Sequence, residues 1–390
     1  MINDVIIIHF HELALKGKNR SWFERILLSN LKTHLTNLPY KKIINVAGRV
    51  IISNIDIKEY DAYKASLKSL IGIRNFIFAR HCDLNIDIIR KEAVQLCKSI
   101  TTPATFRVSS RRQNKSFEYN SNEIDIMVGE SICKDLKWTV DLKNHDINVI
   151  IEIINNDSYV SIKKVEAYGG LPVGTGETGL SLISSGIDSP VASFNIIKRG
   201  VKLDYIHFHS SPVTSKQSIY NVEEILNVLC KYQMNCKLYL FQLLDIQNII
   251  MDKVSSKYWI VLFRRAMVKI ASIVALQNSH KVLISGESIG QVASQTLSNI
   301  VAIQDAVKIP IIRPLSGMNK EEIINQAEEI GTYNISIEPY EDCCSYFVPP
   351  NPETKSKLDR INRIEEEIKI DSIINKYIDT IETKDIVFYE

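Results

Sequence analysis

No stretch of this 390-residue chain holds the roughly 18 consecutive apolar residues that a membrane span requires, so no membrane association is expected. A leader is equally missing. Met1-Ile2-Asn3-Asp4 opens without a basic stretch, an apolar core or a small-residue cleavage site, which predicts a cytoplasmic protein. The 7 cysteines, an odd number in a long chain, do not make a disulfide framework and fit a reducing compartment. Nor is there an excess of either charge. With 47 Lys and Arg against 45 Asp and Glu the net charge is +2, so any basic surface has to come from segregation of charge between regions. Internal repeats and low-complexity tracts are also missing. What is present is ordinary for a globular protein, 45% hydrophobic and 24% charged residues, in a length that suggests two or three domains.

Val5 to Ile8 reads as a short buried strand, and Asn19 to Leu35 has helical spacing at Phe23, Ile26, Leu27 and Leu31. The β-branched run Ile44 to Ile55 predicts strand, Tyr60 to Ile71 helix, and Ile73 to Ala79 strand. A second small α/β unit follows: helix from Ile86 to Ile100, strand from Thr105 to Ser109, helix from Ser121 to Leu136, then strands from Asn148 to Ile153 and Tyr159 to Val165. Gly169 to Gly176 holds four glycines and a proline, which breaks both patterns and marks a domain boundary. Beyond it, strands at Leu180 to Ile183, Lys202 to Phe208, Lys237 to Phe241 and Lys281 to Ser285 alternate with helices at Pro190 to Arg199, Ile219 to Tyr232 and Tyr258 to Gln277. That order predicts a doubly wound parallel sheet with its ligand site at the carboxyl ends of the strands. Asp359 to Lys369 reads as a charged helix with a solvated face.

The sharpest motif is Ser184-Ser185-Gly186-Ile187-Asp188-Ser189-Pro190, between a strand and a helix. Small residues and a glycine let backbone N–H groups approach a phosphate, hydroxyls add donors, and Pro190 suits a first helical turn. A purely structural strand-to-helix turn would use the same residue types, and spacing alone does not separate the two readings.

This segment resembles the pyrophosphate-binding loop of the PP-loop ATPases, whose usual form is Ser-Gly-Gly-x-Asp-Ser. The similarity runs on through Glu12 to Arg20 with Phe23-Glu24, the hinge Gly169 to Gly174, His207-Phe208-His209-Ser210, Gly286-Glu287-Ser288, Gln291 to Thr296, Ile312-Arg313-Pro314-Leu315 and Pro339 to Cys344. In this order the blocks resemble the tRNA 4-thiouridine synthetases along nearly the whole chain. The resemblance implies an α/β protein of three parts: an N-terminal ferredoxin-like domain at 1–59, reaching to about 78 in a longer reading; a THUMP RNA-binding domain at 60–167; a hinge at 168–176; and a doubly wound PP-loop ATP pyrophosphatase domain at 177–390.

It also implies the reaction. ATP delivers AMP to the C4 oxygen of uridine 8 of tRNA, pyrophosphate leaves, and persulfide sulfur then replaces the adenylated oxygen. An adenylate leaves readily where a carbonyl oxygen does not, and a thiol-type sulfur is a strong nucleophile near neutral pH. By the family pattern Ser184, Gly186, Asp188 and Ser189 hold the pyrophosphate side of ATP, with Asp188 also a ligand for Mg2+, and Ile183 and Ser185 belong to the same ATP-binding segment. His207, Phe208, Arg265, Gly286 and Gln295 match positions around the nucleotide, although Phe208 also reads as core and Arg265 as the partner of a carboxylate on a neighbouring helix.

Two positions depart from the family. Ser185 stands where glycine is usual, putting a side chain where the backbone approaches phosphate or takes a positive φ. His11 stands where glycine is usual before the Glu12 block, and no physical account of it presents itself.

Cys343-Cys344 lies beyond the sheet in a segment that ends in Val348-Pro349-Pro350-Asn351-Pro352, where prolines favour an extended loop. By the resemblance one of the pair, Cys344 in first place, carries, receives or resolves the persulfide. Cys82, Cys97, Cys133, Cys230 and Cys236 read as ordinary buried or partly buried thiols. The longer members of the family add a C-terminal rhodanese domain, for which no room is left before Glu390, so a cysteine desulfurase or a small sulfide source is expected to supply sulfur directly. Two basic runs, Lys16, Lys18 and Arg20, and Arg107, Arg111, Arg112 and Lys115 with Phe117 and Tyr119, are the RNA-binding candidates. The resemblance further suggests a homodimer and, in some members, sulfur supply for the thiazole of thiamine. Two other functions use part of the same pattern: a PP-loop ligase of different specificity, which needs neither the RNA module nor the cysteine pair, and a tRNA-binding protein that has lost catalysis at Ser185.

Overall fold

The computed structural model describes residues 3–10, 12–102, 104–339, 347 and 349–388. The chain divides into two compact units, Met1–Pro172 and Val173–Glu390.

The first unit is built on one sheet of eight strands in the order β2-β3-β1-β4-β8-β7-β5-β6. The elements along the chain are β1 (Asn3–His9), α1 (Arg20–His34), β2 (Lys42–Val46), β3 (Arg49–Ser53), α2 (Tyr60–Ser69), β4 (Asn75–Asp83), α3 (Ile86–Cys97), β5 (Thr105–Arg112), α4 (Ser121–Leu136), β6 (Thr139–Val140), β7 (Ile147–Ile154) and β8 (Asp157–Glu166). Val5 to Ile8 is continuously apolar because β1 is central and covered on both faces: Ile6 and Ile8 meet Leu27, Leu31 and Leu67 from α1 and α2, while Val5 and Ile7 meet Ile51, Ile77 and Ile150. The single strand expected from Ile44 to Ile55 is instead the hairpin β2-β3. Ala47 and Gly48 both take positive φ, 50° and 74°, the backbone of a tight two-residue turn, and a turn residue such as alanine carries little signal in sequence. The two small α/β units of the sequence share this sheet, because β4 pairs antiparallel with β8, with a register break between Phe78 and Arg80.

The second unit holds a six-stranded sheet in the order β13-β12-β9-β10-β11-β14. It comprises β9 (Thr178–Leu182), α5 (Asp188–Ile197), β10 (Lys202–His209), α6 (Gln217–Gln233), β11 (Asn235–Gln242), α7 (Leu244–Lys253), α8 (Trp259–Gln277), β12 (Val282–Ile284), α9 (Leu297–Asp305), β13 (Ile311–Ile312), α10 (Lys320–Ile330), α11 (Tyr333–Ser336), α12 (Leu358–Ile368), α13 (Ile370–Tyr377) and β14 (Glu382–Val387). Five strands run parallel and β14 closes the edge antiparallel to β11. From β9 the chain winds through β10 to β11 on one side and through β12 to β13 on the other. The crevice between the carboxyl ends of β9 and β12 is therefore the topological switch point, where ligands of such sheets bind.

The charged helix with a solvated face read at Asp359 to Lys369 is present as α12, and it also has a buried face that the reading left out. α12 has a polar face, but Ile361, Ile364 and Ile368 form an apolar stripe in the core under the sheet, and Glu365 is buried beside them. The acidic run hid the stripe.

Candidate functional site

The loop between β9 and α5 is held by its own hydroxyls. Ser189 Oγ accepts from the Ser184 backbone N–H at 2.9 Å and lies 3.1 Å from Ser184 Oγ, while Ser193 Oγ donates to the Ser189 carbonyl at 2.8 Å. These bonds close residues 184–189 into a tight turn that presents the first amides of α5, the electropositive end of a helix with no intrahelical partners for those N–H groups. Ser185 is nearly fully buried, takes no positive φ, and its Oγ finds no hydrogen-bond partner among the described residues. The conflict expected from a side chain at a glycine position is thus absent from the backbone; what remains is a buried hydroxyl awaiting a partner.

Gly286 follows β12, across the crevice. A Cβ on it would stand 2.8 Å from both Cα and N of Ser189 and 3.0 Å from the carbonyl carbon of Asp188. Only glycine lets the two loops approach this closely. The rest of that loop is tied to the segment after β13: Arg313 Nε donates to Glu287 Oε2 at 2.7 Å, and Ser288 Oγ donates to the Met318 carbonyl at 3.0 Å. Two sequence blocks nearly thirty residues apart therefore form one wall.

Asp188 is where three elements meet. Gln291 Nε2 donates to its Oδ2 at 3.0 Å from the β12 side, and Lys320 Nζ contacts Oδ1 at 2.5 Å from the first turn of α10. Lys320 was not singled out in sequence. It stands in the sequence as one lysine in a capped helix start, Asn319-Lys320-Glu321-Glu322, with no local signal that the fold brings it to the loop. Gln295 is buried in the same β12 loop with Oε1 unpartnered among the described residues.

His207 and Ile183 are joined, the His207 ring Nδ1 standing 3.0 Å from the Ile183 carbonyl oxygen at the carboxyl end of β9. Two residues further along β10, burial, His207 and Lys216 push His209 down to about 4, so its ring is neutral at pH 7. Phe208 alternates to the opposite face and packs its ring at 6.0 Å from Phe241 in the core, the second of the two readings its position allowed. Arg265 likewise takes its second reading, as the partner of a carboxylate on a neighbouring helix. Its guanidinium donates to Glu365 Oε1 and Oε2 at 2.9 and 2.8 Å, to Asn362 Oδ1 at 2.6 Å and to the Ala302 carbonyl, so it serves the contact of α8 with α9 and α12. Cys343 and Cys344 lie outside the described residues, as does His11. The other five cysteines are free, Cys133 partly buried and the rest buried. Among the described residues no group of three or more His, Cys, Asp and Glu is disposed to hold a metal ion, and no helix is long and apolar enough to cross a membrane.

In the first unit, alternation along β5 sends Arg107, Ser109 and Arg111 to one face, where with Arg49, Arg74 and Lys164 they line a cavity of about 410 Å3. Arg112 points the other way and donates to the Phe117 carbonyl at 3.0 Å, and Lys115 is exposed in the loop between them. Of the earlier basic run, Lys16 stands over the Phe23 ring, Lys18 is exposed, and Arg20 pairs with Glu24 while its guanidinium borders Phe10 and Gly48 of the cavity wall.

Comparison with known proteins gives a consistent result over the whole chain. A family described as "Thiamine biosynthesis protein (ThiI)" matches residues 174–370, the ThiI ferredoxin-like domain matches 5–76, and the THUMP domain matches 84–163. A protein of Thermoanaerobacter pseudethanolicus named "Probable tRNA sulfurtransferase" is 41% identical over 383 residues, 98% of each chain. One of the same name from Listeria welshimeri is 36% identical over 97% of this chain and 94% of its own. Among solved structures, a 4-thiouridine synthetase in complex with RNA and bound ATP superposes with a TM-score of 0.87 at 34% identity, covering 98% of this chain and all of that one. A Pyrococcus horikoshii protein, at 24% identity and a TM-score of 0.66 over 84% of this chain and 99% of its own, shares the fold.

Proposed function

The chain belongs to the ThiI family of tRNA sulfurtransferases, and on that footing we propose that it converts a tRNA uridine, by family pattern uridine 8, to 4-thiouridine at the expense of ATP. The observation that carries the nucleotide half of this reading is the meeting of the β9–α5 turn, the Gly286 loop and Lys320 around Asp188 at the switch point of the sheet.

The parts suit phosphate. The α5 amides and the hydroxyls of Ser184 and Ser185 offer donors to pyrophosphate oxygens, and the unpartnered Ser185 Oγ gains the bond it lacks. Lys320 supplies a cation where charge builds up on pyrophosphate as the bond from the α-phosphorus to the bridging oxygen breaks. Mg2+, when bound, offsets phosphate charge. It fits a site with a single carboxylate, since that ion keeps several waters and takes one or two carboxylates besides the phosphates; Asp188 is that carboxylate. Gln295 Oε1 is an acceptor for an amino or hydroxyl group of the nucleotide.

The C4 oxygen of uridine bonds to the α-phosphorus and pyrophosphate leaves. The outer sulfur of a persulfide on Cys344, with Cys343 the second choice, then bonds to C4 and AMP departs with the former carbonyl oxygen. A thiol finally takes the inner sulfur, breaking the S–S bond and releasing 4-thiouridine. A cysteine desulfurase is the proposed sulfur donor, the working form a cytoplasmic homodimer, and supply of sulfur to a thiazole precursor a second use of the same loop. The test combines the purified protein with unmodified tRNA, Mg-ATP, cysteine and a cysteine desulfurase, and assays nucleosides for 4-thiouridine. Product that requires ATP and is lost in Cys344→Ser supports the proposal; ATP-independent product, or tRNA bound without any product, overturns it.

A further inference from the structure

Glu152 on β7 is 1% exposed, yet it lies in the wall of a cavity lined by Arg49, Arg74, Arg107, Arg111 and Lys164. Its Oε1 stands 2.7 Å from His9 Nε2, and its Oε2 stands 2.6 Å from Arg49 Nε in an ion pair without hydrogen-bond alignment. His9 and Arg49 face each other across β1 and β3, and His9 also meets Asn75 Oδ1 of β4 at 2.9 Å. They belong to the ferredoxin-like part, and Glu152 belongs to the THUMP part.

The sheet order makes this contact informative. Between β1 and β7 lie β4 and β8, so three strand spacings separate His9 from Glu152. At about 4.8 Å per spacing a flat sheet would hold them roughly 14 Å apart, more if offset along the strands. They are offset: His9 pairs with Asn75 of β4, whereas Glu152 reaches β4 through Tyr159 opposite His81. The two levels are six residues of β4 apart, about 20 Å of strand. Together with the spacing across the strands this exceeds what the two side chains can span, so the contact requires the sheet to bend, and the register break between Phe78 and Arg80 lies on β4 between those levels.

We propose that Glu152 is a positioning residue for RNA: it clasps His9 and Arg49 across the bent sheet and so sets the shape of the cavity in which Arg74, Arg107, Arg111 and Lys164 receive the anionic RNA backbone. This rests on the proposed function and on taking Arg107 and Arg111 of the basic run as contacts to RNA. Burial by itself pushes the Glu152 carboxyl up, but His9, Arg49 and Arg111 together hold it below its ordinary value, so it is ionised at neutral pH. A negative charge in a phosphate-binding wall is unfavourable for binding, and its presence is explained by the clasp.

The two roles of that charge give opposite signs. If Glu152 were only a charge, Glu152→Gln would make the cavity more positive and tighten tRNA binding. The clasp predicts the reverse: the dissociation constant and KM for tRNA rise about tenfold, while kcat at saturating tRNA and the dissociation constant for ATP stay as in the wild-type chain. His9→Gln, which removes one prong, is the companion variant, expected to shift KM in the same direction by less. Unchanged or tighter tRNA binding by folded Glu152→Gln overturns the clasp, and if that variant fails to fold, unchanged or tighter binding by His9→Gln does so. A wild-type chain with no affinity for tRNA overturns instead the RNA reading of the cavity, and the proposal with it.

Discussion

Arg265 and Glu365, a hundred residues apart, form a two-pronged ion pair with Nε to Oε1 at 2.9 Å and Nη2 to Oε2 at 2.8 Å, both side chains almost wholly buried. Lys269 adds a second cation at 3.0 Å from the same Oε2, and Arg265 also reaches Asp305 at 3.4 Å. The pair joins α8 to α12 beneath the sheet, at the border of the apolar core that holds Ile361, Ile364 and Ile368.

Breaking one side leaves a buried charge without its partner. Glu365→Gln or Arg265→Met alone is expected to cost about 3–5 kcal/mol of stability, whereas Arg265→Met with Glu365→Leu recovers most of it, because two apolar side chains need no desolvation. Urea unfolding of the three variants checks this; additive losses in the double variant would show that the pair is not the coupled unit described.

Gly286→Ala puts a methyl group into the backbone of Ser189 and Asp188. Overpacking of this kind costs about 1–3 kcal/mol, and because it displaces the turn itself, ATP affinity should fall about tenfold or more. Calorimetric titration with ATP reads the loss directly, and binding equal to wild type would mean that the turn is not at the nucleotide.

Ser185→Ala separates the two states of the site. Without nucleotide the buried, unpartnered hydroxyl is a cost of about 1–3 kcal/mol, so its removal should leave the melting temperature unchanged or raise it. With ATP the same variant should show a smaller thermal upshift than wild type, since a donor to phosphate has gone. An equal upshift in both proteins would remove Ser185 from the phosphate contacts.

Acid should weaken the first unit through His34. Burial lowers this group from 6.5 to about 4, so above pH 6.5 it is neutral in both folded and unfolded chains and has no effect. Between about pH 6.5 and pH 4 the unfolded chain takes up a proton that the folded chain refuses, and stability falls by about 3 kcal/mol across that window. His34→Gln should flatten the fall, as measured by chemical unfolding at pH 7.0 and pH 4.5; an unchanged slope would assign it to other groups.

Much of this site is legible in sequence because its signal is local. Ser184, Gly186, Asp188 and Ser189 sit within six residues of one another, and the strand before and helix after them are set by short-range patterning. Gly286 is legible only as part of a family block; the reason for it, a missing Cβ against Ser189, exists only once β9 and β12 are neighbours. Lys320 and Glu152 carry no local signal at all. Each acts through a partner more than a hundred residues away, and a charged side chain on a helix or strand looks the same in sequence whether it is solvated or paired.

Sequence by itself determined the class of the second unit and the place of the turn between β9 and α5, because apolar period and small-residue spacing act over a few residues. It also determined membership of the family, through blocks preserved in order along the chain. Only the tertiary structure decided that Arg265 and Phe208 belong to the core, that Lys320 reaches Asp188, and that two small α/β parts share one bent sheet clasped by Glu152. Those outcomes depend on which strands become neighbours and how sharply a sheet bends, and such long-range pairings are settled by the free energy of the whole core rather than by any segment of it.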